Sequence, residues 1–456
     1  MATFFVKFKV AAVPRSTQAE LVEGAYALCW VVEASAAAAF NQAQFYITKD
    51  EWSITDDSEP AAEVTENACQ DWDIGLENFR KAQEQGIALV YAGWSRDGKT
   101  IAEPMPLPKT RRFDLNDYIG KQKKLAGKGR CLHFDSDGRC KEIIKAHSIQ
   151  RSGQLSAIAD EGHVYAGSAN IGDIKKNDGR ITFERRGIGK MSTFAGFCKT
   201  HDNEVFAPID KQPLFPTNEQ TLLYAYRSLC REFFVKENAL ELADSQLANW
   251  PERHPFTLFE DLKTGTATAL ENLRRHKDDL EASLKRKSFE DIEYTLFVSR
   301  QKPILAFSGL IYPHFDFLGR QLQALEDLST PLDLITFCSA TMDEGWGYLF
   351  AWHKSSARSC REFMRSLATA IYEGRNGDAL FRLVFSTCEN LALAPVWWEK
   401  LEADKQVAIC QRIDLMTSAF APVETDYLTK GLEGISGWQF ESVLTNVPGE
   451  AAETAA

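Results

Sequence analysis

Between Arg130 and Pro208 the chain carries two pairs of soft metal ligands, and nothing else in it restricts folding so sharply. Cys131 and Cys140 form the first pair, with eight residues between them; Cys198-Lys199-Thr200-His201 supplies the second, with two. A C-x-x-H spacing lets one turn wrap a single ion, and four N/S donors in two pairs make a closed tetrahedral zinc site. The run Asp135-Ser136-Asp137-Gly138 lies inside the first interval. Its Asp side chains and its Gly are turn formers, so a tight hairpin there would bring the two thiols face to face. Calcium is excluded for this run, because the glutamate that an EF-hand loop needs at its last position is Ala146 here. The competing reading is of ordinary core residues, since the first spacing exceeds the roughly two to four residues of zinc ribbons. The clustering favours structural Zn2+ held by Cys131, Cys140, Cys198 and His201.

Charge narrows what such a module touches. A net charge of −12 argues against a protein that coats nucleic acid with its whole surface. The charge is uneven, however. Residues 107–200 hold 19 Lys/Arg against 10 Asp/Glu, whereas residues 1–106 hold 8 against 16. The zinc segment is thus a basic island in an acidic chain, as a local phosphate-binding face would need. Pairing of basic loops with the acidic N-terminal part explains the same asymmetry.

A chain of 456 residues accommodates roughly two to four domains. Thr3–Val10 alternates as a strand, with Phe4, Val6, Phe8 and Val10 on one face. The alanine-rich stretch from Ala25 to Ala39 reads as a buried helix, Phe45–Ile47 and Glu51–Ile54 as strands, Trp72–Gln85 as a helix and Ile87–Trp94 as a strand. That β-α-β-β-α-β order predicts a ferredoxin-like domain over 1–106. Pro104–Pro108, P-M-P-L-P, reads as a linker, and 109–129 as a basic, flexible approach to a polyanion. The module itself spans 107–212. Beyond it, 213–456 is expected to be an α+β, helix-rich domain. Its helices fall at Glu219–Leu242, Leu270–Lys287, Ala357–Tyr372 and Leu380–Leu393, and its strands at Tyr294–Val298, Pro303–Ile311, Leu332–Phe337 and Trp346–Trp352. The fold class is therefore α+β, multidomain. Cys338, Cys360, Cys388, His314 and His353 share no ligand spacing and read as structural residues, and Glu389-Asn390 as buried polar groups that lock the fold. Ten cysteines without dense regular spacing, no long apolar run and a strand-like N-terminus together predict a cytoplasmic protein.

Two short stretches carry a resemblance. Lys145-Ala146-His147-Ser148-Ile149 and Phe197-Cys198-Lys199-Thr200-His201-Asp202 resemble, over about eighty residues, the HNH nucleases and their treble-clef relatives. In that family a hairpin presents a His-x-Ile motif whose His is the general base. A later motif opens a helix, supplies structural zinc ligands and is followed by a residue that binds the catalytic metal. The resemblance therefore implies His147 as base, His201 in place of the second cysteine, and Asp202 on a catalytic Mg2+ or Mn2+. Lys145, Arg151, Arg185 and Arg186 would neutralise flanking phosphates of the nucleic acid. The sequence departs at Ala146, where many members carry another metal ligand, and the asparagine that orients the base has only Asn170 and Asn203 as candidates. Such a departure is also what a non-catalytic version would show, binding nucleic acid or a protein partner. The layout is similar to that of uncharacterised bacterial proteins, some of them in phage defence.

Overall fold

The computed structural model describes residues 2–13, 22–56, 61–69, 73–94, 115–135, 140–167, 181–248, 258–325, 330–374, 377–417, 424–449 and 453–454. The linker at Pro104–Pro108, the turn at Ser136–Gly138 and Asn170 lie outside them. The chain divides into two compact units, Met1–Phe113 with Leu247–Glu260, and Asp114–Gln246 with Asp261–Ala456.

In the first unit, β1 (Ala2–Ala12) buries Phe4, Val6, Phe8 and Val10 on one face, as its alternation predicts. The stretch expected to be a helix from Ala25 is instead β2 (Gly24–Glu33), antiparallel to β1 along its length. The reason is period two. Ala25, Ala27, Cys29 and Val31 pack against the β1 core, while Leu28, Trp30 and Val32 pack on the opposite face. Alanine content suggested a helix, but both faces of this strand are covered, so small and large apolar residues follow one another. The helix starts later: α1 (Ala36–Lys49) is capped by Ser35, whose hydroxyl accepts from the Ala38 amide at 3.2 Å. It absorbs Phe45–Ile47, which is therefore not a strand. β3 (Trp52–Asp56), β4 (Ala62–Val64), α2 (Asp73–Gln85) and β5 (Ile87–Trp94) follow. The sheet runs β3-β1-β2-β5 with β4 also on β1, and every pairing is antiparallel. A ferredoxin-like order would need a helix between the first two strands; a β1–β2 hairpin replaces it.

The second unit begins with α3 (Leu115–Gly127), so the part of the basic 109–129 stretch that the structure describes is largely helical. β6 (Ile143–His147) and β9 (Thr193–Cys198) make a two-stranded antiparallel ribbon. Between them, β7 (His163–Gly167) and β8 (Phe183–Gly187) leave the ribbon and join a larger sheet. α4 (Lys199–Val205), α5 (Asn218–Ala248) and α6 (Leu258–Arg286) come next. They are followed by β10 (Ile292–Ser299), β11 (Leu305–Ile311), β12 (Ile335–Thr341) and β13 (Trp346–His353). α7 (Ala357–Gly374), α8 (Asp378–Thr387), β14 (Leu391–Leu393), α9 (Ala403–Thr417), β15 (Ser442–Thr445) and β16 (Glu453–Thr454) complete the order.

The large sheet runs β16-β15-β10-β13-β12-β11-β14-β7-β8. Strands from the basic segment and from the C-terminal half thus share one sheet, through β14 pairing with β7. The helix expected over Leu380–Leu393 ends at Thr387, because Cys388 turns extended and Leu391–Leu393 pairs with β11. Burial decides this: the three residues sit between two neighbours, where an apolar run need not alternate. Phe297, Phe307, Phe350, Phe363 and Phe381 belong to one core, and Leu222, Tyr226, Leu229 and Phe233 of α5 to another. No helix of the described residues is long and apolar enough to cross a membrane.

Candidate metal centre and its adjoining cavity

β9 gathers the ligands. β6 lies against it with Ile143 opposite Cys198 and His147 opposite Thr193, and the register slips between Ile144 and Ala146. The 130–132 segment is tied to the same strand by Arg130 N–H to Ala195 C=O (3.0 Å) and Leu132 N–H to Gly196 C=O (2.8 Å). Gly129 permits that approach, since a Cβ there would stand 2.3 Å from Cγ2 of Ile143. At the end of β9, Cys198 stays extended and caps α4, its sulfur accepting from the His201 amide at 3.4 Å. The i, i+3 spacing then swings the His201 ring back over the same sulfur.

The result is one cluster. The ligand atoms of Cys131, Cys140, Cys198 and His201 all lie within 4.8 Å of one another. Nδ1 of His201 is 3.3 Å from Cys131 Sγ and 3.4 Å from the sulfurs of Cys140 and Cys198. A tetrahedral zinc with ordinary Zn–S and Zn–N bonds would set these edges at about 3.6 Å, so the four atoms already stand close to the vertices. Cys198 and His201 are buried and the other two cysteines half-buried; the His201 ring stacks on His133 with centroids 4.2 Å apart. Burial, then crowding by Cys131 and Cys198, pushes the Cys140 thiol up to about 12. Thiols this close ionise together only around a cation, which is the chemistry of a metal-ion site such as zinc.

A cavity of about 550 Å³ opens beside this scaffold, lined by His147, Gln150, Arg151, Asp202, Asp210 and Arg227 among others. His147 ends β6, and Asp202 directly follows His201 on α4, so the scaffold of the Cys3His cluster carries both walls. The π-helical turn Arg151–Leu155 carries Arg151, with Gln150 capping it; its wide closure is seen in Leu155 N–H to Gln150 C=O at 2.9 Å. Nε2 of His147 is enclosed and has no hydrogen-bond partner. Burial lowers the His147 pKa, assisted by Arg151 and Arg227, against the Ile188 backbone and Asp210, which raise it. The imidazole is therefore neutral at pH 7. Burial raises the Asp202 pKa, with Arg227 opposing and Asp210 adding to the shift.

The expected residues separate into groups. The four residues expected to hold zinc come together in a cluster that could hold a metal ion, His147 is not one of them, and His147, Asp202 and Arg151 share the cavity. Lys145 is exposed on β6, while Arg185 and Arg186 lie on β8, where Arg185 pairs with Asp160 at 2.6 Å. Sequence reasoning missed Asp210 and Arg227. The signal was present: Arg227 is a single cation inside the apolar run Leu222–Cys230 of an otherwise buried helix face. In the C-terminal half, burial pushes Cys338 and Cys388 up to about 12, leaving unreactive thiols, and His353 accepts from the Ser355 amide as a local cap. Compared with protein-family models, curated proteins and solved structures, the chain matches none.

Proposed function

We propose that the protein is a zinc-stabilised, metal-dependent nuclease of the HNH kind, acting on nucleic acid in the cytoplasm. The observation that carries this reading is the shared cavity of His147 and Asp202, built on the β6, β9 and α4 scaffold that also gathers the zinc ligands. Neutral His147, with an unpaired Nε2, is equipped to take a proton from a water molecule. Asp202, with Asp210 across the cavity, offers the carboxylate oxygens that Mg2+ or Mn2+ prefers. Such an ion, when bound, supplies stabilisation of the charge that develops on the phosphate oxygens. Arg151 lies at the exposed side of the cavity, where it would meet a flanking phosphate.

The test is cleavage of plasmid and single-stranded substrates with Mg2+ or Mn2+. Cleavage by the wild type and its loss in His147→Ala is the expected outcome; equal activity in both proteins overturns the assignment.

One observation favours a second reading. Ala146 offers no donor, and the described residues hold no group of three His, Cys, Asp or Glu ligand atoms at the cavity comparable to the Cys3His cluster. A zinc module that binds nucleic acid or a protein partner without cutting would look the same. Its binding curve on DNA would fall steeply with salt if phosphates are the contacts, and a flat curve would point to a protein partner.

A further inference from the structure

Arg227 is out of place in its helix. Leu222, Tyr226, Leu229 and Cys230 around it are core residues, and only 3% of Arg227 is exposed. A dehydrated guanidinium persists only with strong partners. Arg227 has two: both oxygens of Asp210 accept from its terminal nitrogens at 2.7 Å, and its Cζ lies over the Phe206 ring, 4.1 Å from the centroid. Asp210 is itself steadied by Gln150, whose Nε2 donates to it at 3.0 Å. One donor is left over. Nε of Arg227 is buried without a partner, on a side chain that lines the cavity, as is Nε2 of His147. Arg151 adds a second, exposed cation to the same wall. Asp210, by contrast, keeps 36% of its side chain exposed, so the pair is sealed on the arginine's side and open on the carboxylate's.

A planar carboxylate seated two-pronged on a guanidinium occupies the place that a phosphate takes on arginine elsewhere. We propose that the cavity is a phosphate-binding site, in which Arg227 and Arg151 receive the anion and Asp210 is the resident counter-ion that holds Arg227 until a phosphate shares or displaces it. The proposal deepens the nuclease reading, on which it rests for the kind of substrate, but its observable is binding without cleavage. Asp202 and Asp210 oppose an incoming anion, and this sets the sign of the test.

The experiment is titration of the full-length, zinc-loaded protein with inorganic phosphate in the absence of Mg2+ and Mn2+, followed by calorimetry. Short single strands with and without a 5′-phosphate then distinguish a nucleic-acid phosphate from the free ion. Wild type is expected to bind; Arg151→Gln should weaken binding roughly tenfold, and Asp210→Asn should tighten it roughly tenfold by removing a like charge. Arg227→Lys keeps the charge, loses the two-pronged donor and should bind more weakly. If Arg227→Lys or Asp210→Asn, each of which disturbs the buried pair, fails to fold, Arg151→Gln, at an exposed residue outside that pair, still decides the matter. No phosphate binding by wild type and Asp210→Asn, or binding indifferent to both Arg151 and Asp210, overturns the proposal. Binding intact in a protein that never cleaves would sink the nuclease reading and leave this one standing.

Discussion

The amide of His201 donates to Cys198 Sγ at 3.4 Å, and Nδ1 of the same histidine stands 3.4 Å from that sulfur. One thiol therefore caps α4 and faces the ligand cluster. Serine at this position keeps an acceptor for the cap and loses the soft donor; alanine loses both. Cys198→Ser is expected to lose its metal, about one zinc ion per chain, and to unfold the β6–β9 region. Zinc affinity in such sites is folding free energy, on the order of 10 kcal/mol in small fingers. Cys198→Ala, which lacks the soft donor and the cap acceptor alike, should lose the metal and unfold the same region. Metal content by mass spectrometry and the melting temperature check this; a serine variant that keeps its zinc and its stability refutes the centre.

Asn390 joins two distant parts of the second unit. It is 3% exposed, and its amide donates to Ser148 Oγ at 2.8 Å and to the Ser308 carbonyl at 3.3 Å. Ser148 Oγ lies 2.7 Å from Ser192 Oγ, so the chain immediately after His147 is anchored from the residue that precedes β14. Asn390→Ala leaves these groups buried and short of a donor, at a cost of about 2–3 kcal/mol. Urea unfolding should show a lower midpoint with an unchanged slope. A cost below half a kcal/mol would mean that the network carries no stability.

Local chemistry makes the Cys3His cluster legible. Cys198-x-x-His201 lies on one turn, and turn-forming residues follow Cys131, so spacing alone named four residues that do converge. The strand at Thr3–Val10 is legible for a related reason, because its alternation puts Phe4, Val6, Phe8 and Val10 on one face. Where an element is covered on both faces the signal fails. β2 reads as a helix in the sequence because Ala25, Ala27 and Cys29 alternate with Leu28 and Trp30, all of them apolar. β14 was absorbed into the preceding helix for the same cause. The Arg227–Asp210 pair is hidden differently: the partners are seventeen residues apart and meet only because α5 passes the scaffold of the Cys3His cluster. Nothing in periodicity announces such a contact, although a cation inside an apolar helical run does raise the question of its partner.

The His147 environment fixes the direction of a pH profile. Burial, Arg151 and Arg227 outweigh the Ile188 backbone and Asp210, so the imidazole loses its proton below the ordinary histidine value. If it acts as a base, activity should persist to a lower pH than a free histidine would allow, because the base is disabled only on protonation. Arg151→Gln removes one lowering charge and should move the acid limb of the rate profile to higher pH. An acid limb that does not move in that variant would mean another group controls it.

His276 gives a prediction for stability that is independent of any activity. The ring is 3% exposed, and its Nε2 donates to the Leu332 carbonyl at 2.9 Å. Burial and then Arg275 lower its pKa to about 4, against the Leu332 carbonyl, Asp279 and Asp333, which raise it. The sign follows from linkage. Above the unfolded value of roughly 6.5 both states are neutral and the full stability is present. As pH falls from there toward 4, the unfolded chain takes up a proton that the folded chain refuses, and stability is lost. Integrated across that window the loss approaches about 3 kcal/mol. His276→Gln keeps a donor for Leu332 and removes the titration, so its stability should fall less between pH 7 and pH 4.5 than that of the wild type. The comparison subtracts the acid sensitivity of the cysteine ligands, which both proteins share. Equal losses of stability by wild type and His276→Gln between the two pH values, measured by urea unfolding, would mean that His276 protonates in the folded state as readily as in the unfolded chain.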